Sequence, residues 1–347
     1  MLSSYWVRIF LFVVVFPMGV VRAQAGLPAI VDGAPLPSLA PMVETVLPAV
    51  VNISTRGRVS MRENPLMQDP FFRRFFGAPG TQPRERQTSS LGSGVIIDAA
   101  AGHVVTNQHV IGNADEITVR LHDGRSVQAE VIGSDPNADI AVIKIPAQGL
   151  TAIDLGNSDR LRVGDFVVAI GNPFGLGQTV TSGIVSALGR SGLGIEDYED
   201  FIQTDASINQ GNSGGALVNL RGELIGVNTA IVGPSGGSVG IGFAIPINMV
   251  LGLTRQIVEF GEVRRGRLGV VIQDLTRDLA EAFGIDTEHG AVVAEVVPDS
   301  AAADAGLKEA DVITAVNGRP VKGATDLRNK IGLSRSDEEV ELSLIHI

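Results

Sequence analysis

Between residues 91 and 246 the sequence is a series of short apolar runs separated by Gly, Asn or Asp. The runs are Gly94-Val95-Ile96-Ile97, His103-Val104-Val105, Ile117-Thr118-Val119-Arg120-Leu121, Ile140-Ala141-Val142-Ile143, Phe166-Val167-Val168-Ala169-Ile170, residues 180–185 and Leu224-Ile225-Gly226-Val227. Each is the length of a strand, and little between them has helical periodicity. An all-β barrel or sandwich is therefore expected here, and not alternating βαβ units. The 42 glycines and 5% aromatic residues agree, since many short strands need many turns.

The flanks differ. Arg8 precedes an apolar run over residues 9–21, and Ala23-Gln24-Ala25 follows it. The run is shorter than the ~20 residues of a spanning helix. Residues 1–25 are thus expected to be a signal peptide cleaved after Ala25, in preference to an uncleaved anchor. An apolar stretch from Met42 to Leu47 leads into strand-like Ala49-Val50-Val51-Asn52-Ile53. Residues 56–90 lose periodicity around Phe71-Phe72-Arg73-Arg74-Phe75-Phe76, and a loop of this length is commonly functional or disordered. Its phenylalanines either pack on their own domain or dock onto another subunit.

Ile247, Val250, Leu251, Ile257 and Val258 then share one face of a 3.6-residue period, which Gly261 ends. Past the linker Arg264-Arg265-Gly266 lies a smaller unit. It mixes strands (residues 268–272, 291–297 and 312–316) with helices (residues 277–283, 301–305 and 325–331), and Asn317-Gly318 signals a tight turn. The expected organisation is residues 1–25, 26–260 and 261–347.

Several classes of function are excluded or disfavoured. A net charge of −11 lacks the basic footprint of a general nucleic-acid binder. With no cysteine there is neither a thiol nucleophile nor a Cys-type zinc site. The five histidines show no metal-ligand spacing, so no metal or other cofactor is expected.

Nucleophilic chemistry remains, and Gly211-Asn212-Ser213-Gly214-Gly215 carries its strongest signal. A serine hydroxyl attacks a carbonyl only when a base takes its proton and donors hold the oxyanion. Glycines beside it let successive N–H groups converge and let a substrate chain approach. The pentapeptide alone could be a turn. However, His109 ends one apolar strand and Asp139 begins another. An imidazole titrating near ~6.5 can shuttle the serine proton, and a buried carboxylate fixes its tautomer. His, Asp, Ser is one of the few chain orders known for such a triad. His103, His122, Asp98 and Asp135 read instead as turn or surface residues.

Thr106-Asn107-Gln108-His109-Val110, Ala138-Asp139-Ile140-Ala141 and Gly211-Asn212-Ser213-Gly214-Gly215 resemble the corresponding segments of the HtrA (Deg) proteases. Gly240-Ile241-Gly242-Phe243-Ala244-Ile245-Pro246 does so too, and the closest likeness is to the periplasmic DegP/DegQ branch. The segment from Arg267 resembles a PDZ domain. The resemblance implies a mainly β chain, with a trypsin-like double β-barrel protease domain followed by a small α+β PDZ domain. It also implies an oxyanion hole from the N–H groups of Gly211 and Ser213 with Asn212 between them. Ile208 and the strand Thr229-Ala230-Ile231-Val232 would line the pocket for the residue before the scissile bond, although Ile208 and Ile231 also read as core. Residues 206–210 carry no acidic group, so a small or branched apolar residue is expected there.

Arg267-Leu268-Gly269-Val270 would receive a peptide's C-terminus. Two further PDZ strands beyond Ile347 are implied, as are homotrimers or their multiples. Glycine-rich loops near residues 172–178, 190–200 and 233–238 are expected to switch the site. The function implied is endoproteolysis of unfolded or damaged exported proteins in the periplasm. A non-proteolytic chaperone or peptide-binding scaffold is the alternative, which an intact His, Asp and Ser set disfavours.

Overall fold

The computed structural model describes residues 30–31, 34–35, 38–60, 85–112, 114–172, 177–209, 211–231, 238–287, 289–335 and 339–347. Residues 1–25, the Phe71 to Phe76 cluster and Val232 lie outside them. A small hairpin, β1 (Ile30–Val31) with β2 (Ala34–Pro35), forms a unit of its own.

The expected strand runs all form strands. The first sheet comprises β3 (Val50–Ser60), β4 (Glu85–Asp98), β5 (His103–Thr106), β6 (Glu116–Arg120), β7 (Ser126–Gln128), β8 (Glu130–Asp135) and β9 (Ile140–Lys144). Its order is β7-β6-β3-β4-β5-β9-β8, and β3 pairs with β4 from Val50↔Val95 to Ser60↔Glu85. The second group is β10 (Phe166–Gly171), β11 (Thr179–Arg190), β12 (Phe201–Thr204), β13 (Ala216–Asn219), β14 (Leu224–Ile231) and β15 (Gly242–Pro246). These close into a barrel, β10-β11-β12-β15-β14-β13. All pairings are antiparallel, so neighbouring strands need only the short turns that the glycines supply. Only the second sheet is closed by hydrogen bonds among the described residues; the first stays open between β7 and β8.

Several strands are apolar on both faces because both faces are covered. Ile140 to Ile143 and Val167 to Ile170 are fully buried. One core cluster runs across the two sheets, joining Val50, Val95, Val105 and Ile140 to Val168, Ile170, Val218 and Val227. The clamp between the sheets is thus hydrophobic, at about 1.5–3 kcal/mol for each large side chain buried.

A helix, α1 (Ile247–Phe260), follows β15 and ends at Gly261, whose φ of 77° closes it in the left-handed region. Its buried face is Ile247, Val250, Leu253 and Ile257, whereas Val258 is 42% exposed. The stripe is rotated relative to expectation because Leu253 continues the i, i+3 row from Ile247 and Val250.

The last sheet contains β16 (Val270–Asp274), β17 (Ala291–Val296), β18 (Val312–Val316) and β19 (Arg319–Pro320), with β20 (Leu342–Ile345) also on β18. Helices α2 (Arg277–Phe283), α3 (Ala301–Asp304) and α4 (Ala324–Leu333) accompany it. Asn317 and Gly318 both have positive φ (48° and 71°), the conformation their dipeptide predicts. No helix among the described residues is long and apolar enough to cross a membrane.

Candidate active site

His109 sits in the single helical turn Gln108–Ile111 just past β5, and Asp139 immediately precedes β9. Because β5 and β9 are paired, Thr106↔Ala141 brings the two together at one end of the sheet. Asp139 is 2% exposed and adopts φ 53°, a left-handed conformation that Asp tolerates better than most residues. Its main-chain carbonyl accepts from Gln108 N (3.2 Å) and Asn107 Nδ2 (3.0 Å). Its carboxylate accepts from His109 N on Oδ1 (2.9 Å) and pairs with His109 Nδ1 through Oδ2 (2.8 Å). The His–Asp spacing thus becomes a locked pair with one ring nitrogen turned toward the carboxylate.

The imidazole is half-exposed while its partner is buried. Burial works against the imidazolium, but the hydrogen bond and charge of Asp139, helped by Glu196, outweigh it and raise the His109 pKa. Glu196 belongs to the segment 191–199, which lies beside this pair through a Tyr198 N to Asn137 O bond of 3.0 Å. Its carboxyl is pushed up to about 7, chiefly by burial and then by the charge of Asp139, with His109 opposing. Glu199 shapes that segment by accepting from the N–H groups of Leu193 (2.6 Å), Ile195 (2.7 Å) and Glu196 (3.2 Å).

Ser213 stands between β12 and β13, on the wall of the closed barrel that faces β4. Gly211 and Gly214 have φ of 96° and 80°. A Cβ on Gly214 would lie 2.2 Å from the Ser93 carbonyl oxygen, so only glycine allows this approach. Asn212 N donates to Asn209 O, Gly214 N to Asn228 O and Gly215 N to Asn212 O. These bonds leave aside the N–H groups of Gly211 and Ser213. The Ser213 hydroxyl donates to the Thr229 carbonyl at 3.1 Å, and not to the imidazole.

Thr229, expected as pocket lining, turns its hydroxyl to Asp139. Its side chain is 4% exposed and its Oγ1 donates to Asp139 Oδ2 at 2.6 Å. Ile208 is buried with Val185, Ile202, Leu217 and Ala244, which is the packing role its apolar character also allowed. Ala230 and Ile231 continue β14 against Phe243 and Gly242.

In the last unit, Gly269 has φ 78°, and its carbonyl accepts from Val297 N (2.8 Å) and Ser300 Oγ (3.3 Å). Arg267 and Leu268 line a cavity of about 370 Å³ with Ile331, Leu342 and Leu344, and Val270 begins β16 beside it.

One turn-like residue, Asp135, is more than a turn. Asp135 is buried and paired through both carboxylate oxygens with Arg265, one bond being Nη1 to Oδ1 at 3.0 Å. The Arg265 guanidinium also lies 4.2 Å from the Tyr198 ring centroid. Asn329 Nδ2 on α4 donates to the Glu199 carbonyl at 2.7 Å. The linker and α4 therefore rest on the segment beside Asp139.

The model of the trypsin-like peptidase domain matches residues 92–227, and that of the PDZ domain matches residues 256–345. The chain is 53% identical over 327 residues to the periplasmic pH-dependent serine endoprotease DegQ of Escherichia coli K12, covering 93% of this chain and 71% of DegQ. The chain belongs to the DegP/DegQ family of serine endoproteases. Another relative of this HtrA-type chain is the periplasmic serine endoprotease DegP of Salmonella typhimurium, 53% identical with 89% and 70% of the two chains covered. Among solved structures, the HtrA-type protease AlgW with a tripeptide superposes with a TM-score of 0.71 at 45% identity, covering 89% of this chain and 93% of AlgW.

Proposed function

We propose that this chain is a periplasmic serine endopeptidase that degrades unfolded or damaged exported proteins through an acyl-enzyme on Ser213. The observation that carries the reading is the buried Asp139 carboxylate bonded to both His109 N and Nδ1, beside a serine on a glycine-flanked turn. In this mechanism Ser213 Oγ leaves the Thr229 carbonyl by a rotation about χ1, and His109 Nε2 takes its proton as Oγ attacks the peptide carbonyl. Asp139 holds the ring tautomer and stabilises the imidazolium. The N–H groups of Gly211 and Ser213, with Asn212 between them, hold the oxyanion. His109 then returns the proton to the leaving amine, and water attacks the acyl-enzyme by the same route.

Ile208 and the strand from Thr229 to Val232 set a preference for a small or branched apolar residue before the scissile bond. Residues 267–270 of the PDZ domain take a peptide's C-terminal carboxylate. The working form is a homotrimer or a multiple of it. An exposed apolar group supports assembly: Phe166 is 63% exposed and lines one open depression with Leu155 and Leu220. Cleavage after Ala25 releases the chain into the periplasm, the compartment named for its relatives.

The test is hydrolysis of casein by the wild type and by Ser213→Ala, with the cut sites mapped. Only the wild type should cut, mainly after small or branched apolar residues. Equal activity would remove Ser213 from the mechanism, and cuts chiefly after Lys or Arg would reject the pocket.

A further inference from the structure

Ser93 lies on β4, fully buried, and takes no part in the chemistry above. Its polar groups are nonetheless all engaged around the nucleophile. Its N–H donates to the Ser213 carbonyl at 2.8 Å. Its hydroxyl donates to the Gly211 carbonyl at 2.6 Å and accepts from Asn172 N at 2.7 Å. Its carbonyl accepts from Thr106 Oγ1 at 2.7 Å. A hydroxyl both donates and accepts, so serine is the smallest side chain able to join that carbonyl to that N–H. The Asn172 end is itself held, because Asn52 Nδ2 donates to the Asn172 carbonyl at 2.7 Å.

These bonds fall at particular peptide planes. The Gly211 carbonyl belongs to the plane just before the one carrying the Ser213 N–H, and the Ser213 carbonyl to the plane just after it. Ser93 holds both, from a strand of the other sheet. We propose that Ser93 is a positioning residue for the oxyanion hole, bracketing the Ser213 N–H and tying its direction to the backbone at Asn172. The inference rests on the endopeptidase reading and deepens it.

Without the hydroxyl, the Gly211 carbonyl and the Asn172 N–H would be buried with no partner there, which is unfavourable for both. The freest response is rotation of the peptide between Gly211 and Asn212, since Gly211 has no Cβ and already sits at positive φ. That rotation would also break the Asn212 N to Asn209 O bond and so disturb the two flanking planes, which carry the Gly211 and Ser213 donors, while leaving the apolar core between the sheets in place.

The experiment compares the full chain with Ser93→Ala, and with Ser93→Cys, whose slightly larger thiol fills the site but bonds weakly. The readouts are kcat and KM on a peptide amide, and inhibition by a peptide aldehyde ending in valine against inhibition by the corresponding carboxylate peptide. The aldehyde adduct with Ser213 puts an oxygen where the oxyanion forms; the carboxylate peptide forms no such adduct. Both variants should lose about tenfold or more in kcat with KM within about twofold, and aldehyde affinity should fall in step while carboxylate-peptide affinity holds.

Unchanged kcat in a folded variant overturns the inference, and so does an equal loss of affinity for both inhibitors. Failure of both variants to fold overturns it too, since the hydroxyl would then serve the fold and not the loop. Ser213→Ala separates the two readings: if it is inactive while Ser93→Ala is fully active, only the Ser93 role is lost. If Ser213→Ala still cleaves, both fall.

Discussion

Thr229→Val replaces a buried hydroxyl by a methyl of nearly equal size, so its effects isolate one hydrogen bond. Asp139 accepts three side-chain or main-chain bonds on its carboxylate, from His109 N, His109 Nδ1 and Thr229 Oγ1, and the last is the shortest at 2.6 Å. Asp139 and Thr229 are 2% and 4% exposed, so water does not readily replace the lost donor. A hydrogen bond to a charged group contributes about 1.5–3 kcal/mol, and the thermal midpoint should fall accordingly. If the whole of that loss reached the transition state, kcat/KM would drop by about 10- to 150-fold.

The pH dependence carries a second signature. A carboxylate with one donor fewer is a stronger acceptor for His109 Nδ1, which favours the imidazolium. The His109 pKa, already raised, should rise further. Because the neutral ring is the working base, the acid limb of kcat/KM should move to higher pH. The assay is peptide hydrolysis across pH beside a thermal melt of each protein. An acid limb that stays put or moves down, with an unchanged midpoint, would refute this account of Thr229.

Glu196→Gln should act in the opposite direction. The glutamate's charge helps to raise the His109 pKa, so its removal should lower that pKa and shift the acid limb of kcat/KM to lower pH. The native carboxyl itself titrates at about 7, so the two acid limbs should separate most where Glu196 is ionised and His109 is still partly protonated, and superimposable profiles would exclude the effect. Arg265→Met leaves the Asp135 carboxylate buried without its partner and should cost about 3–5 kcal/mol of stability, read as a lower urea midpoint. A second change, Asp135→Leu, should restore much of that loss, because a buried ion pair can be replaced by apolar packing with little penalty.

Much of the fold and the pairing of His109 with Asp139 were legible in the sequence because they depend on local pattern. The run at Phe166 to Ile170 is a strand with the expected bounds to within a residue, and Val95-Ile96-Ile97 lies in one that begins earlier, at Glu85, inside the stretch expected as a loop, because it pairs with Val50 to Ser60. Gly261 ends its helix as its position suggests. His109 and Asp139 could be singled out because each sits where an apolar strand begins or ends, and pairing of β5 with β9 then brings them together.

What escaped the sequence depends on partners far apart in the chain. Asp135-Pro136 reads as a turn, and nothing local announces that Arg265, 130 positions away, closes on it. Thr229 sits in a strand where alternation alone does not say that its hydroxyl faces a carboxylate; the adjacent polar Asn228, buried too, was the available hint. Ser93 lies between two glycines, a context that suggests backbone freedom. The structure instead gives it contacts to Gly211, Asn172 and Thr106. Val258 falls off the buried face because the row from Ile247 and Val250 continues through Leu253.

The central claim is that Ser213 is the nucleophile, activated by His109. Its most direct test is covalent labelling with a fluorophosphonate in the presence of casein, followed by peptide mapping. The reagent phosphonylates an activated serine oxygen with loss of fluoride, so the account predicts one label, on Ser213. The label should vanish in Ser213→Ala and form far more slowly in His109→Ala. A label on another serine, or one that persists at full rate without His109, would contradict it.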